Sequence, residues 1–372
     1  MPISYICLDD EAAAVEGLIQ VLDAANEELA IELRPPALFD DEIKQISKSK
    51  CDGLLLDLRL DKTPSQEGVR VNYRAISLAQ ELRTRMTEGS IRPFPLVLWS
   101  VDANFQESYD RDKTGHDLFD FHFSKRRIDG EANKIAHELV ALAKGYEEIN
   151  NLRSRTIKNI YARLIDLEDE FDVLDVRLAN HIATERSFPT HVFADSLLND
   201  LIRCSGPLIN EAHLAARLGV NFRDSGDWSK LISKFAKDAK YTGVFGDNWS
   251  RWWMYKIIRN WNQIYPNVPL QRLDAKQRTE ILIKKYKLKN LVPYEPIVDG
   301  YDQKYWNVCY LTGKPVSPVN SIRLSLERPE WQDGVFASLQ AILEREHKAQ
   351  DIQIHPFEID RVKSILADLK NE

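Results

Sequence analysis

Five short apolar runs punctuate the N-terminal part of the chain, at 3–8, 30–33, 53–57, 96–100 and 118–123, and stretches of helical spacing lie between them. Unbroken apolar runs of this length suit strands buried on both faces of a parallel sheet. The segments near 11–25, 41–48 and 68–87 read as helices, and in the last of these Ala75, Leu78, Ala79 and Leu82 recur at helical intervals. A loop or short helix follows the fourth run, and a helix begins near residue 131 after the fifth. This (βα)5 alternation predicts an α/β domain with a doubly wound parallel sheet.

The last of these helices has no evident stop. From 131 to 186 the chain holds one glycine, Gly145, and no proline. Ile135, Leu139, Leu142, Tyr146 and Ile149 are spaced 4-3-4-3, and after a phase break near Arg153 the series resumes through Ile160, Leu164, Leu167, Phe171, Leu174, Leu178 and Ile182. Sustained heptads with charged flanks predict a long helix in a coiled coil or antiparallel hairpin, and we favour a connector that makes a homodimer. A new domain begins after Ser187-Phe188-Pro189. The expected organisation is therefore 1–148, a helical connector over 149–186, and a smaller α+β domain over 187–372.

Within that last domain, 208–219 reads as the first helix and turn of a helix-turn-helix, and 227–239 as its second helix. The segment 241–258, with Gly243 and Gly246 at turns, would supply a β-wing and make this part winged-helix-like. The region 290–335 is punctuated by Pro and Gly, with strand-like runs at 306–311 and 321–326. An amphipathic helix near 357–369 closes the chain.

Composition separates the two halves. The 372 residues carry a net charge of -7, with 44% hydrophobic and 29% charged residues, as in ordinary globular chains. Residues 1–150 hold 18 Lys+Arg against 28 Asp+Glu, whereas 228–291 holds 14 basic and 4 acidic residues. Seven of the eight tryptophans fall between Trp228 and Trp331. No run approaches the length of a membrane span, and no basic-then-apolar leader opens the sequence. The cysteines Cys7, Cys51, Cys204 and Cys309 form no CxxC pair, which fits a reducing cytoplasm.

Polar residues terminate four of the five runs. Asp9 and Asp10 follow the first, Asp57 ends the third, Ser100 ends the fourth, and Lys125 follows the fifth. In open α/β sheets, ligands bind outside the carboxyl ends of the strands. Three carboxylates, a hydroxyl and an ammonium gathered there suit a divalent cation and a phosphoryl group. Adjacent carboxylates can hold Mg²⁺ through oxygen, and an aspartate can act as nucleophile to form an acyl phosphate. Lys125 and Ser100 would bind phosphoryl oxygens.

With the Leu-Asp-Asp-Glu of 8–11, the Leu-Leu-Asp of 55–57, Ser100, Lys125, Gly68 and Gly115, residues 1–148 resemble the receiver domain of two-component response regulators. The resemblance implies a receiver (flavodoxin-like) fold and Asp57 as acceptor of phosphate from a histidine kinase or phosphotransfer protein. It also implies Mg²⁺ at Asp57, ligated directly by Asp10, through water by Asp9, and by the Arg59 backbone carbonyl. Ser100 and Lys125 would sense the phosphoryl group. The sequence departs from the family in a long loop between Asp57 and Gly68, in a long span from Asp57 to Ser100, in Arg126 where proline is usual, and in His122 at the usual switch-aromatic position.

Residues 187–372 resemble no family, so their role is read from the residues alone. An output through protein interaction or sensing is the favoured reading. The alternative is a DNA- or RNA-binding regulator using the basic, Trp-rich 208–291, with Lys230, Lys234, Lys237, Arg251 and Lys256 on phosphates and exposed rings on bases. Further alternatives are a phosphate sink, or a nuclease-like output using Asp299, Asp302 and Lys304 with His347, His355 or Cys309. His191, His213 and Cys204 have no ligand spacing.

Overall fold

The computed structural model describes residues 2–64, 70–110, 113–153, 160–167, 173–185, 188–296, 298 and 300–371. Gly68, Phe171, Ser187 and Asp299, which carried expectations from the sequence, lie outside them. The chain divides into two compact units. One comprises Met1–Phe171, Asn180–Leu197 and Gly243–Asn248; the other comprises Asp172–Ala179, Leu198–Thr242 and Trp249–Glu372.

The first unit is built on five parallel strands, β1 (Ile3–Leu8), β2 (Leu29–Arg34), β3 (Gly53–Asp57), β4 (Leu96–Ser100) and β5 (Phe121–Ser124), in the order β2-β1-β3-β4-β5. That order is the flavodoxin-like version of the doubly wound sheet, with its switch point between β1 and β3. β3 and β4 are buried at every position, as their unbroken apolar sequences require. The helices are α1 (Ala12–Ala24), α2 (Phe39–Lys48), α3 (Ala75–Thr87) and α4 (Asp102–Asn104), which continues as a π-turn over Phe105–Tyr109, then α5 (Ile128–Arg153). α3 starts later than the spacing predicts. Before it, Val71 and Tyr73 are buried while Asn72 and Arg74 are exposed, so this stretch alternates as an extended segment. The Tyr73 hydroxyl ties it down by donating to the Ala37 carbonyl at 2.7 Å.

The unbroken connector helix is corrected by the structure. α5 is described as far as Arg153 and α6 over Ile160–Leu164, and residues 154–159 between them lie outside the described residues; the chain leaves α6 at Asp166 with φ +56°, and α7 (Val176–Glu185) and α8 (Thr190–Asp195) follow. The stripe Ile135, Leu139, Leu142, Tyr146 and Ile149 is buried inside the chain's own fold, each residue at most 1% exposed. A helix lying on a sheet needs the same i, i+3, i+4 stripe as a coiled coil, and periodicity alone cannot tell them apart. The apolar stripe that the sequence offered as a dimer seam is thus covered within the chain's own fold. The run Leu139–Ala143 is buried on all sides, because α6, α8 and Gly243–Asn248 belong to the same unit.

At the amino ends of β4 and β5 a buried polar cluster joins α3 to α5. Arg83 Nη2 donates to Asp120 Oδ2 (2.8 Å), the Tyr146 hydroxyl donates to Asp120 Oδ1, and the Leu96 N–H donates to Asp120 Oδ2 (2.8 Å).

In the second unit, α9 (Glu211–Leu218) and α10 (Trp228–Phe235) are the two helices the sequence led us to expect. Gly219, φ +75°, ends α9; a Cβ there would come within 2.6 Å of the Ala275 Cα. Where the sequence predicts a wing, Lys240 bridges Trp252 in antiparallel fashion, with the Tyr241 N–H donating to the Arg251 carbonyl (2.8 Å), and only the end of the expected segment differs. β6 (Leu208–Ile209) pairs with β7 (Trp252–Trp253), and α11 (Met254–Ile264) follows directly, because Met254, Ile257 and Trp261 are buried at helical spacing. α12 (Ala275–Tyr286) begins in a capping box between Asp274 and Gln277. Small antiparallel pairs, β8 (Asn307–Val308) with β9 (Pro315–Val316) and β10 (Ser321–Arg323) with β11 (Phe336–Ser338), precede α13 (Leu339–Leu343), α14 (Glu346–Ala349) and α15 (Ile359–Asn371).

Candidate functional site

The five residues singled out in the sequence meet at the carboxyl ends of β1, β3, β4 and β5. Parallel pairing in register sets Leu8 beside Leu56 and Asp57 beside Trp99, so the residues closing adjacent strands arrive at one level. Lys125 Nζ donates to Asp9 Oδ2 at 2.7 Å and lies 2.8 Å from Asp57 Oδ1, above the Trp99 ring at 4.7 Å from its centroid. Ser100 Oγ donates to Asp57 Oδ1 at 3.2 Å, and the Arg59 N–H donates to Asp57 Oδ2 at 2.7 Å. Asp10 Oδ2 accepts from the Thr63 N–H at 2.6 Å, so the long loop after β3 folds back over the acidic pair. The Arg59 guanidinium turns to Asp61 (2.8 Å).

Burial dominates the electrostatics. It pushes the Asp9 carboxyl up to about 6, against the pull of Lys125 and the Glu11 N–H, and raises Asp10 despite the Thr63 and Lys62 N–H groups. Burial alone would lower the Lys125 ammonium; Asp57 and Asp9 outweigh it, so it is held above the ordinary lysine range. Lys125 contacts Asp9 and Asp57, while Asp10 accepts from the Thr63 N–H, so three clustered carboxylates face one ammonium; the upward shifts of Asp9 and Asp10 come first from burial, and the neighbouring Asp57 adds to both. Hard oxygen donors with surplus negative charge suit Mg²⁺. Among the described residues, no group of three His, Cys, Asp or Glu side chains is gathered closely enough to hold a metal ion, since Lys125 Nζ stands between Asp9 and Asp57.

Two participants were missed in the sequence. Asn104 Nδ2 donates to Ser100 Oγ (3.0 Å), and Lys62 Nζ donates to Asn104 Oδ1 (2.9 Å), giving a relay from the β3 loop to the hydroxyl beside Asp57. The only available signal was the interval of four residues between Ser100 and Asn104, which has meaning once a helical turn is known to start there. His122 is exposed, and its ring sits 5.7 Å from Phe105 and 5.4 Å from Tyr109.

The other candidate residues do not converge. Trp228, Trp252, Trp253 and Trp261 are 0–6% exposed and form core, so they are not stacking platforms for bases. Arg251 donates to the carbonyls of Ile202 and Ser250 (2.9 Å to the latter) and is half-buried, as a structural rather than a phosphate-facing cation would be. Lys256 Nζ lies 5.8 Å from the Tyr255 ring centroid, Lys230 pairs with Asp227 (2.7 Å), and Lys234 donates to the Tyr286 carbonyl (3.2 Å). Asp302 accepts the Lys304 N–H (3.4 Å), Cys309 Sγ accepts the Ser338 N–H (3.2 Å), and His355 Nδ1 accepts the Phe357 N–H (3.3 Å), as local caps. His347 is buried on α14. The His213 imidazole is pushed down to about 3 and that of His191 to about 4, in both cases chiefly by burial. Burial raises the Cys204 thiol, whose sulfur accepts from Arg328 (3.1 Å).

No helix among the described residues is long and apolar enough to cross a membrane. No protein-family model and no curated protein matches this chain. Solved structures with likeness to it include NtrX from Brucella abortus, 13% identical over 50% of this chain with a TM-score of 0.30. The chain spans 34% of that structure's length. A variant of RitR is 13% identical, over 53% of this chain and 82% of that one, with a TM-score of 0.31. A protein described as a response regulator from Chloroflexus aurantiacus J-10-fl is 16% identical, over 37% of this chain and 98% of that one, with a TM-score of 0.25.

Proposed function

We propose that the first unit is a phosphoacceptor module of the two-component type and that Asp57 is the residue modified. The observation that carries this reading is the Lys125 ammonium bridging Asp9 and Asp57 with the Ser100 hydroxyl on Asp57, at the carboxyl edge of a β2-β1-β3-β4-β5 sheet. In the proposed reaction an Asp57 carboxylate oxygen attacks the phosphorus of a phosphohistidine on a histidine kinase or phosphotransfer protein. The P–O bond forms as the P–N bond breaks, and the imidazole leaves and takes up a proton. Mg²⁺, held by Asp10 and Asp57 with Asp9 and the Arg59 carbonyl assisting, would supply charge neutralisation on the phosphoryl oxygens. Lys125 then follows the transferred group as a point charge, and Ser100 donates to one of its oxygens. Both already touch Asp57, so the new charge arrives where donors are in place.

The acyl phosphate biases the first unit between two surface states, and the second unit reports that bias to a cytoplasmic partner through protein contacts or sensing. Incubation with acetyl phosphate and Mg²⁺ tests the assignment: intact-mass analysis should show one hydroxylamine-labile phosphoryl group on the wild type and none on Asp57→Asn. Equal labelling of both proteins would remove Asp57 from the mechanism.

A further inference from the structure

Two lysine-rich stretches, one on and just after α10 and one at the end of α12 (Lys284-Lys285-Tyr286-Lys287-Leu288-Lys289), are far apart along the chain but adjacent in space. Phe235 and Tyr286 meet with ring centroids 6.2 Å apart, and Lys234 Nζ reaches the Tyr286 carbonyl. Lys287, φ +52°, then reverses the chain, so that the N–H groups of Lys289 and Asn290 both donate to Asp227 Oδ2 (2.9 and 3.0 Å) at the start of α10. Lys234, Lys237, Lys284, Lys285, Lys287 and Lys289 are thereby brought onto one ridge, and all six are exposed.

Of the acids beside this ridge, Asp227 and Asp238 are already engaged, while Glu280, one helical turn before Lys284, is exposed. Asp227 accepts from Lys230 and two backbone N–H groups, and Asp238 accepts from Asn260 (2.7 Å) and Arg259 (3.3 Å). None of the six lysines forms an ion pair among the described residues. A helix C-terminus favours a cation or two in its last turn. Six on one ridge exceed that need, and an anionic partner with repeated charge would relieve their mutual repulsion beyond what salt screening does.

We propose that this ridge, formed by α10 and the end of α12, binds the phosphate backbone of duplex nucleic acid without reading its sequence. Two features select that partner. The apolar residues interspersed among the lysines, Leu231, Phe235 and Leu288, are buried, so the ridge lacks the projecting apolar side chains that a lipid-surface binder inserts. The start of α10 is closed by Asp227 and 289–290, and the tryptophans nearby are core, so no group is offered to base edges.

The test uses the full-length protein and a fluorescent mixed-sequence DNA duplex, with binding followed from about 50 to about 200 mM salt. Binding is expected at the low end and should weaken along a linear log–log salt dependence. The variant K284Q/K287Q/K289Q should bind at least about ten-fold more weakly, with a slope shallower by about 0.9 for each phosphate that is no longer neutralised. The arginine counterpart K284R/K287R/K289R should retain binding. No binding at low salt, equal affinity in the glutamine variant, or binding to phosphatidylserine-containing vesicles but not to DNA would each overturn the proposal. The readout is independent of Asp57 phosphorylation.

Discussion

Asp9 is fully buried with an ammonium 2.7 Å away, and burial still holds its carboxyl near 6. A carboxyl whose folded value lies above its ordinary 3.8 stabilises the fold below that ordinary value, and the contribution is lost as pH rises through about 6. Without Mg²⁺, the denaturation midpoint of the wild type should therefore fall relative to Asp9→Asn as pH rises from about 4 to about 7. A gap between the two proteins that stays constant with pH would contradict the assignment. By the same linkage, Mg²⁺ affinity at this site should drop as pH falls through about 6, where protons compete for the carboxylate. Lys125 makes the complementary case. Lys125→Ala leaves Asp9 and Asp57 facing one another unpaired, which should cost on the order of 3–5 kcal/mol in urea denaturation at neutral pH. Added Mg²⁺ should recover part of that loss in this variant. The residue types at this site were legible from the sequence because each closes an apolar run, and β-strand pairing converts that linear position into a shared spatial level. The Lys62–Asn104–Ser100 relay was not legible, because its geometry depends on how a loop and a π-turn happen to meet.

α5 shows where periodicity stops being informative. Its 4-3-4-3 stripe is the same whether a helix seats on a sheet or against a twin, and the deciding clue was the apolar run Leu139–Ala143, which leaves no polar face for solvent. Gly145 adds a second clue that only the structure interprets. A Cβ at this position would lie 2.1 Å from the Phe245 ring, so the glycine is a notch receiving a side chain from a loop a hundred residues away in sequence. The Val244 N–H donates to the Leu164 carbonyl (2.8 Å) and fixes that loop beside the notch. Gly145→Ala alone should destabilise the first unit by about 1–3 kcal/mol through overpacking. Phe245→Ala should cost about 3–5 kcal/mol. In the Phe245→Ala background the same Gly145→Ala change should become stabilising by roughly 0.5–1 kcal/mol, since alanine is the better helix former once the ring is gone. A double-mutant cycle in urea measures this, and additive effects would mean the ring and the glycine are not coupled.

At the scale of the molecule, the resemblance to a receiver domain sets a boundary at residue 148, yet the compact unit is not contiguous. It takes in Asn180–Leu197 and Gly243–Asn248, so the chain passes between the two units repeatedly instead of through one linker. Composition could not reveal this, because a covering helix from a distant stretch is as apolar on its inner face as one from the same domain. The consequence can be tested by truncation. A fragment ending at residue 148 keeps the sheet, the acidic site and most of α5, but loses α6, α8 and the Phe245 loop. Val140, Ala141 and Ala143, each at most 5% exposed in the intact chain, lie in the part of α5 buried on all sides, away from the stripe facing the sheet. Their exposure removes burial worth about 25 cal/mol per Å² and leaves an apolar surface of the kind that promotes association. The fragment should accordingly bind a hydrophobic dye, show a lower urea midpoint than full-length protein, and self-associate with rising concentration. A monomeric fragment with the full-length midpoint would show instead that residues 1–148 suffice for stability, and that the later helices rest on α5 without contributing to it.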